Sequence, residues 1–176
     1  KCFLDTNDPI ELFKTWLYEA NKTEPNDPNV LALATANKNG EPSVRMVLLK
    51  DFNKEGFVFY TNLNSQKSLS LKENPRAEMC IHWKTLLRQV RISGTVSKVS
   101  DKEADEYYNS RPYGSRIAAW ASKQSDVLKS RKNLINLIKK YEEKYNDDKK
   151  VPRPEYWSGW RLMPKEIEFW LSVDNR

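Results

Sequence analysis

Ser43-Val44-Arg45-Met46-Val47-Leu48-Leu49-Lys50 is an apolar, strand-like run that carries two cations. A charge in an apolar strand loses hydration on burial, so such cations are costly unless something anionic meets them. A second basic and hydroxyl-bearing cluster follows at Tyr60-Thr61-Asn62-Leu63-Asn64-Ser65-Gln66-Lys67. Two such clusters in one chain of 176 residues point to a site for a phosphorylated ligand.

The strand pattern extends outward from that run. Val30 to Ala36 reads as a strand, Asn37-Lys38-Asn39-Gly40 as a turn, and Pro42 to Lys50 as the returning arm of a hairpin. Asn53 to Gly56 is a further turn before the strand Phe57 to Thr61. Arg76 to Trp83 and Leu87 to Val99 form another pair. Trp157 to Met163 and Glu166 to Ser172 are the last two strands, joined by a turn at Pro164-Lys165.

Helices fall at the chain start, over residues 65–73 and between residues 100 and 145. Asp8-Pro9-Ile10-Glu11 opens one that runs to about Asn21, with Asp8 as cap and Pro9 in the first position. Ser65 to Glu73 is a short helix that stops before Pro75. Ser100-Asp101-Lys102-Glu103 is a capping box for a helix to about Ser110, and a short helix lies around Ser115 to Ala121. Ser125-Asp126 is expected to cap a long helix reaching about Tyr145. This order excludes a regular βαβ sheet and favours an α+β fold: an antiparallel barrel with helices packed outside it. One domain over residues 1–176 is expected, with residues 1–7 as an extended N-terminal arm.

Composition narrows the partners. The net charge of +6 invites a nucleic-acid reading. Much of the excess lies in Lys129-Ser130-Arg131-Lys132, Lys139-Lys140 and Lys149-Lys150, which read as a solvated helix face, and no nucleic-acid-binding signature supports the alternative. No apolar run approaches the roughly 20 residues needed to cross a bilayer. The start, Lys1-Cys2-Phe3-Leu4-Asp5, has no signal-peptide pattern, and Cys2 and Cys80 form no metal-type or redox pair. A cytoplasmic protein without membrane or nucleic-acid partners is the expectation.

Gly-rich phosphate loops, nucleophile elbows and zinc motifs are missing from the sequence, and the single histidine, His82, excludes a multi-histidine metal site. Strand alternation places His82 with Glu78 and Cys80 on a polar face, and no role is assigned to it. Phosphate-type donors are better represented. Arg45 can grip a phosphate bidentately and Lys50 can act as a point charge. Five residues apart, they would face opposite sides of a regular strand, so convergence requires a bulge or a strand end. Ser65 sits at a helix N-terminus beside Lys67, where free N–H groups favour an anion; capping and a solvated lysine would explain the pair equally well. Tyr107, Arg111 and Ser115 could hold a second phosphate across a helix end broken by Pro112 and Gly114, or could form a surface turn.

Taken together, the motifs resemble a known family. Arg45-Met46-Val47-Leu48-Leu49-Lys50, Tyr60-Thr61-Asn62, Asn64-Ser65-Gln66-Lys67, Arg88-Gln89-Val90-Arg91 and Ser110-Arg111-Pro112 occur in the order seen in pyridoxine/pyridoxamine 5′-phosphate oxidases. Ser122-Lys123-Gln124-Ser125, Val151-Pro152-Arg153-Pro154, Trp157-Ser158-Gly159-Trp160-Arg161 and Ile167-Glu168-Phe169-Trp170 continue the series. The resemblance implies a split β-barrel that binds FMN at the interface of a homodimer. It also implies oxidation of pyridoxine or pyridoxamine 5′-phosphate to pyridoxal 5′-phosphate, with O₂ reduced to hydrogen peroxide.

Matching positions carry roles over from the family. Arg45, Lys50, Tyr60, Thr61, Lys67 and Gln89 would contact FMN from one subunit and Gln124, Ser125 and Trp170 from the other, with Met46, Val47, Leu48, Leu49, Ser65 and Gln66 also at the cofactor. Lys50, Tyr107, Arg111 and Ser115 would hold the substrate phosphate, and Arg176 would lie over the substrate ring; Arg176 and Lys50 are the expected catalytic pair. Two departures stand out. Gln66 replaces the arginine usual in the family, which implies weaker FMN retention. The family also continues beyond the position of Arg176 with Leu-His-x-Arg, on substrate and flavin respectively, residues that this sequence does not contain. Hydride transfer from substrate C4′ to flavin N5 depends on stacking at near-attack distance more than on a strong acid or base, so the shortage of histidine is no objection. Related split-barrel oxidases or reductases with another substrate are the alternative.

Overall fold

Residues 6–172 are described by a computed structural model of the chain. The hairpin forms as its sequence demands: β1 (Val30–Ala36) pairs antiparallel with β2 (Pro42–Leu48), from Val30 opposite Leu48 to Ala36 opposite Pro42. β3 (Asp51–Asn53), β4 (Gly56–Asn62), β5 (Arg76–Trp83), β6 (Arg88–Lys98) and β7 (Trp157–Leu171) complete one antiparallel sheet in the order β2-β1-β5-β6-β7-β4-β3. Its two edge strands, β2 and β3, are consecutive in the chain and separated only by Leu49 and Lys50. A sheet whose opposite edges are one continuous segment must curl until they meet.

The joint is visible in its hydrogen bonds. Leu49 donates its N–H to the Asn29 carbonyl beside β1 (2.8 Å), whereas Lys50 donates to the Val58 carbonyl of β4 (2.9 Å). Neighbouring residues therefore serve opposite edges of the sheet, with the Leu49 side chain buried inside the curl. This is the split-barrel architecture expected from the sequence.

Inward residues alternate with outward ones on β1 and β5, where Leu31, Leu33, Met79 and Ile81 are fully enclosed. The open end is plugged by α1 (Pro9–Thr23), whose start is fixed by Asp8 accepting from the Ile10 N–H at 2.9 Å. Its Phe13 meets Phe52 and Phe57 edge-on at 4.9 and 5.1 Å. Outside lie α2 (Gln66–Glu73), α3 (Asp101–Ser110), α4 (Tyr113–Ala121) and α5 (Arg131–Lys144). No α5 side chain is buried, which leaves its lysines on a solvated face. Among the described residues no helix is long and apolar enough to cross a membrane.

Three expectations need correction. β3 is an additional strand, and its three residues are too few to display a period. The last two strands are one, because Pro164 sits where β7 slips against Ser93 and Gly94, a bulge where the missing proline N–H costs no ladder bond. Ser125-Asp126 does not start the long helix: Ser125 has φ 69°, and Ser130 is the cap, accepting from the Asn133 N–H. The expected arm over residues 1–7 falls mostly outside the described residues.

Gly94 at the bulge is a tight point, because a Cβ there would lie 2.0 Å from the Met163 carbonyl oxygen. Gly94→Ala is expected to cost about 1–3 kcal/mol, the range for overpacking, read from urea unfolding. An unchanged midpoint would show that β6 and β7 separate there without penalty.

Candidate functional site

The bend that closes the sheet also solves the problem of Arg45 and Lys50. β2 ends at Leu48, so the two residues are no longer held to strand alternation, and both line one cavity of about 690 Å³. Its volume lies within the range of small-molecule sites. The cavity runs along β2 past Met46, Val47 and Leu48, takes in Tyr60, Thr61, Gln66 and Lys67, and ends on Tyr107, Arg111, Ser115, Gln124 and Ser125. Four cations line it and, among the described residues, no carboxylate does.

At one end the cations are held by neutral oxygens. Arg45 donates from Nη1 to the Leu33 carbonyl (3.1 Å) and the Thr35 hydroxyl (2.7 Å), and from Nη2 to the Ser43 hydroxyl. Lys67 is buried at 7% exposure, and its Nζ donates to Thr61 Oγ1 (3.2 Å), Ser65 Oγ (3.2 Å) and Gln124 Oε1 (3.1 Å). Gln124 Oε1 also accepts from the Thr61 hydroxyl at 2.9 Å. Ser125 accepts from the Gln66 N–H at the start of α2. Burial, followed by the nearby Arg45 charge, lowers Lys67 to about 8.

The other end is aromatic. Tyr60 stacks on Tyr107 at 4.0 Å and lies parallel to Trp157 at 5.5 Å. This flat arrangement needs Gly159, the cross-strand partner of Tyr60, because a Cβ there would press on the Tyr60 ring at 2.8 Å. Burial, reinforced by Glu103 and Asp51, pushes the Tyr60 phenol up to about 12 and keeps it a neutral donor. Arg111 lies over the Trp157 ring at 4.8 Å, and its Nη1 is buried without a hydrogen-bond partner. Burial lowers its affinity for its proton, though the nearby Tyr107 and Tyr108 oppose this.

Not every expected site residue converges. Leu49 belongs to the core, and Ser65 is fully buried beneath Lys67. Gln89 and Trp170 do not line the cavity; they are cross-strand partners of one another on β6 and β7. Phe169 packs edge-on against Trp16 in the core, so Trp170 takes the opposite face. Gln124 and Ser125, expected from a second subunit, line the same chain's cavity as Arg45. Arg176 lies outside the described residues. Trp157, Asn62 and Ser122 were not expected in the wall. Trp157 was open to detection as an aromatic opening a strand, whereas Asn62 and Ser122 stood out only as members of their motifs and were given no role.

A curled antiparallel half-barrel whose cavity is lined, among the described residues, by four cations and no carboxylate defines a split-barrel protein. The sequence model of the family described as pyridoxamine 5′-phosphate oxidase matches residues 17–171. A pyridoxine/pyridoxamine 5′-phosphate oxidase of Pelagibacter ubique is 66% identical over 176 residues, covering 100% of this chain and 85% of the relative. One from Brucella anthropi is 56% identical over 168 residues, covering 96% and 82%. Among solved structures, PhzG of Burkholderia lata, in complex with tetrahydrophenazine-1-carboxylic acid, superimposes with a TM-score of 0.92 at 31% identity, covering 98% of this chain and 84% of that one. A pyridoxamine 5′-phosphate oxidase-related, FMN-binding protein of Nostoc punctiforme shares the fold, with a TM-score of 0.73 at 17% identity over 93% of this chain and 85% of that one. The chain belongs to the pyridoxamine 5′-phosphate oxidase family.

The depressed Lys67 gives a signed pH dependence. Between about 8 and 10.5 the unfolded chain binds this proton and the folded chain does not, so stability rises with pH across that window. Below about 8 the folded chain carries the buried charge and its full cost. In urea unfolding, wild type is therefore expected to gain on Lys67→Met as pH rises from 8 towards 10.5. A constant difference between the two would mean that Lys67 is solvated as in the unfolded chain.

Proposed function

We propose that this chain is an FMN-dependent oxidase that converts pyridoxamine or pyridoxine 5′-phosphate to pyridoxal 5′-phosphate, with O₂ reduced to hydrogen peroxide. The observation that carries the reading is the cavity lined by four cations and, among the described residues, no carboxylate, since such a site is unfavourable until anions enter it. The residues fit FMN. Arg45, Lys67, Thr61 and the N-terminus of α2 with Ser125 offer charged and neutral donors for the flavin phosphate, and Gln66 supplies no third cation. Arg111, Lys50, Tyr107 and Ser115 are the donors for the substrate phosphate, and Arg111 Nη1 has a free N–H to give. A bound flavin would supply the two-electron acceptor that O₂ then reoxidises. The protein's part is to fix both phosphates so that the pyridine lies flat at reacting distance.

A homodimer belongs to this reading. Val44 and Met46 are 67% and 62% exposed on β2, an apolar stripe along the cavity rim that a second copy would cover. Gln89 and Trp170, adjacent on the outer face, would then complete the partner's flavin site together, which moves Gln89 across the seam and leaves Trp170 on the side expected from the sequence. A single cytoplasmic domain is part of the same proposal.

The PhzG likeness favours a second reading, a split-barrel flavin enzyme with another aromatic substrate. Tyr107, Arg111 and Ser115 weigh against it, because they suit a phosphorylated one. Purified protein given FMN is expected to be yellow and to consume oxygen with pyridoxamine 5′-phosphate. Arg111→Ala should raise KM by roughly ten- to a hundredfold, the value of a charge-assisted hydrogen bond. An active enzyme whose KM ignores the substitution would support the relatives' kind of substrate, and protein inactive with bound FMN would reject the oxidase reading.

A further inference from the structure

We propose that Trp157 is the positioning residue of the substrate-phosphate grip. Its indole face holds the Arg111 guanidinium in place without neutralising it. The inference rests on reading the cavity as a phosphorylated-pyridine site, and it adds a residue to which that reading gave no part.

An arginine that must receive a dianion has to be held without being satisfied. A carboxylate partner would hold it firmly but would compete with the incoming phosphate for the same N–H groups. Arg111 is arranged the other way. Its guanidinium lies 4.8 Å from the Trp157 ring centroid, and Nη1 is buried with no hydrogen-bond partner. A π face attracts the cation while leaving the in-plane N–H groups free.

Trp157 is well placed to do this. Its ring is only 6% exposed, yet it lines the cavity. The plane of the indole lies within 8° of Tyr107 and 7° of Tyr60, and Tyr108 meets it edge-on at 5.1 Å. Two of the grip's four donors, Tyr107 from α3 and Arg111 just after it, are thus aligned to one ring. The backbone of Trp157 is tied to the same helix. Its carbonyl accepts from Arg153 Nη1 at 2.8 Å, while Arg153 Nε reaches Asp105 at 2.6 Å and Nη2 reaches Asp101 at 3.3 Å. The indole and the helix that it serves therefore move as one unit.

The test is a graded series at Trp157 combined with Arg111→Ala. With pyridoxamine 5′-phosphate, KM is expected to rise in the order wild type, Trp157→Phe, Trp157→Leu, reaching roughly tenfold for Leu, with kcat and FMN affinity within about threefold. In the Arg111→Ala background, Trp157→Leu should add less than about twofold, because the group that it positions is gone. Equal effects of Phe and Leu, an unchanged KM, or effects that multiply in the double variant would each overturn the proposal. Should Trp157→Leu not fold, the cycle is run with Trp157→Phe, where a wild-type KM overturns it. Equilibrium dialysis of pyridoxamine 5′-phosphate against the same FMN-loaded variants, with the flavin kept reduced under anaerobic conditions, reads the grip without turnover. A wild type that binds this compound but does not oxidise it would sink the oxidase reading alone, whereas equal binding by wild type and Trp157→Leu would sink the role of Trp157.

Discussion

The joint at Leu49 and Lys50 is a constraint on which both the fold and the site depend. A seven-stranded sheet with β2 and β3 at opposite edges would stay open if those strands were independent segments. They are one segment, so the backbone N–H groups of Leu49 and Lys50 must be satisfied on different sides of the curl. Buried backbone donors are rarely left unpaired, which makes this division obligatory. The same break in alternation lets Arg45 and Lys50 share a cavity that a straight strand would have put on two faces. Closure of the barrel and assembly of the cationic cavity are a single event in the backbone.

The electrostatics follow from what the cavity excludes. Acids are plentiful nearby, but they are engaged elsewhere: Glu103 with Arg161, and Asp101 and Asp105 with Arg153. Inside the cavity, hydroxyls, carbonyls, an amide and ring faces surround the cations. Neutral partners position a charge without cancelling it, so the folded chain carries repulsion and desolvation that a bound anion relieves. The lowered Lys67 is a sign of that stored cost, since both of its causes, burial and Arg45, oppose its charge. Gln66 sharpens the point, because its amide adds no charge and leaves that end of the cavity with Arg45 and Lys67 as its cations.

Much of this was legible in the sequence, for reasons that differ by element. The hairpin, α1 and α3 were readable because hydrophobic alternation and capping residues act locally: Asp8 and Ser100 accept the bonds that their positions promised. Pro164 misled because proline is read as a breaker, whereas the bulge against Ser93 and Gly94 accommodates it within a continuous strand. Ser125 misled because its hydroxyl is spent on the Gln66 N–H across 59 residues, a partner that no local rule contains. The cations of the site were visible as residue types out of place. Their convergence was not, because it comes from the curl of the sheet, and neither was the separation of Gln89 and Trp170 from the Arg45 cluster.

The aromatic wall explains why so polar a site can be rigid. Phosphate sites built only from long cationic side chains must immobilise those chains when ligand arrives, at a cost in rotamer freedom. Here that ordering is completed on folding. Gly159 removes the one side chain that would lift Tyr60 off the sheet, Tyr60 supports Tyr107 at 4.0 Å, and Trp157 lies parallel to both. The stack is apolar enough to be stabilised by burial, and beside it Arg111 Nη1 stays without a hydrogen-bond partner. Glycine in β7, tyrosine in β4 and tryptophan at the start of β7 thus form one device, in which hydrophobic packing supplies the order that charge alone could not.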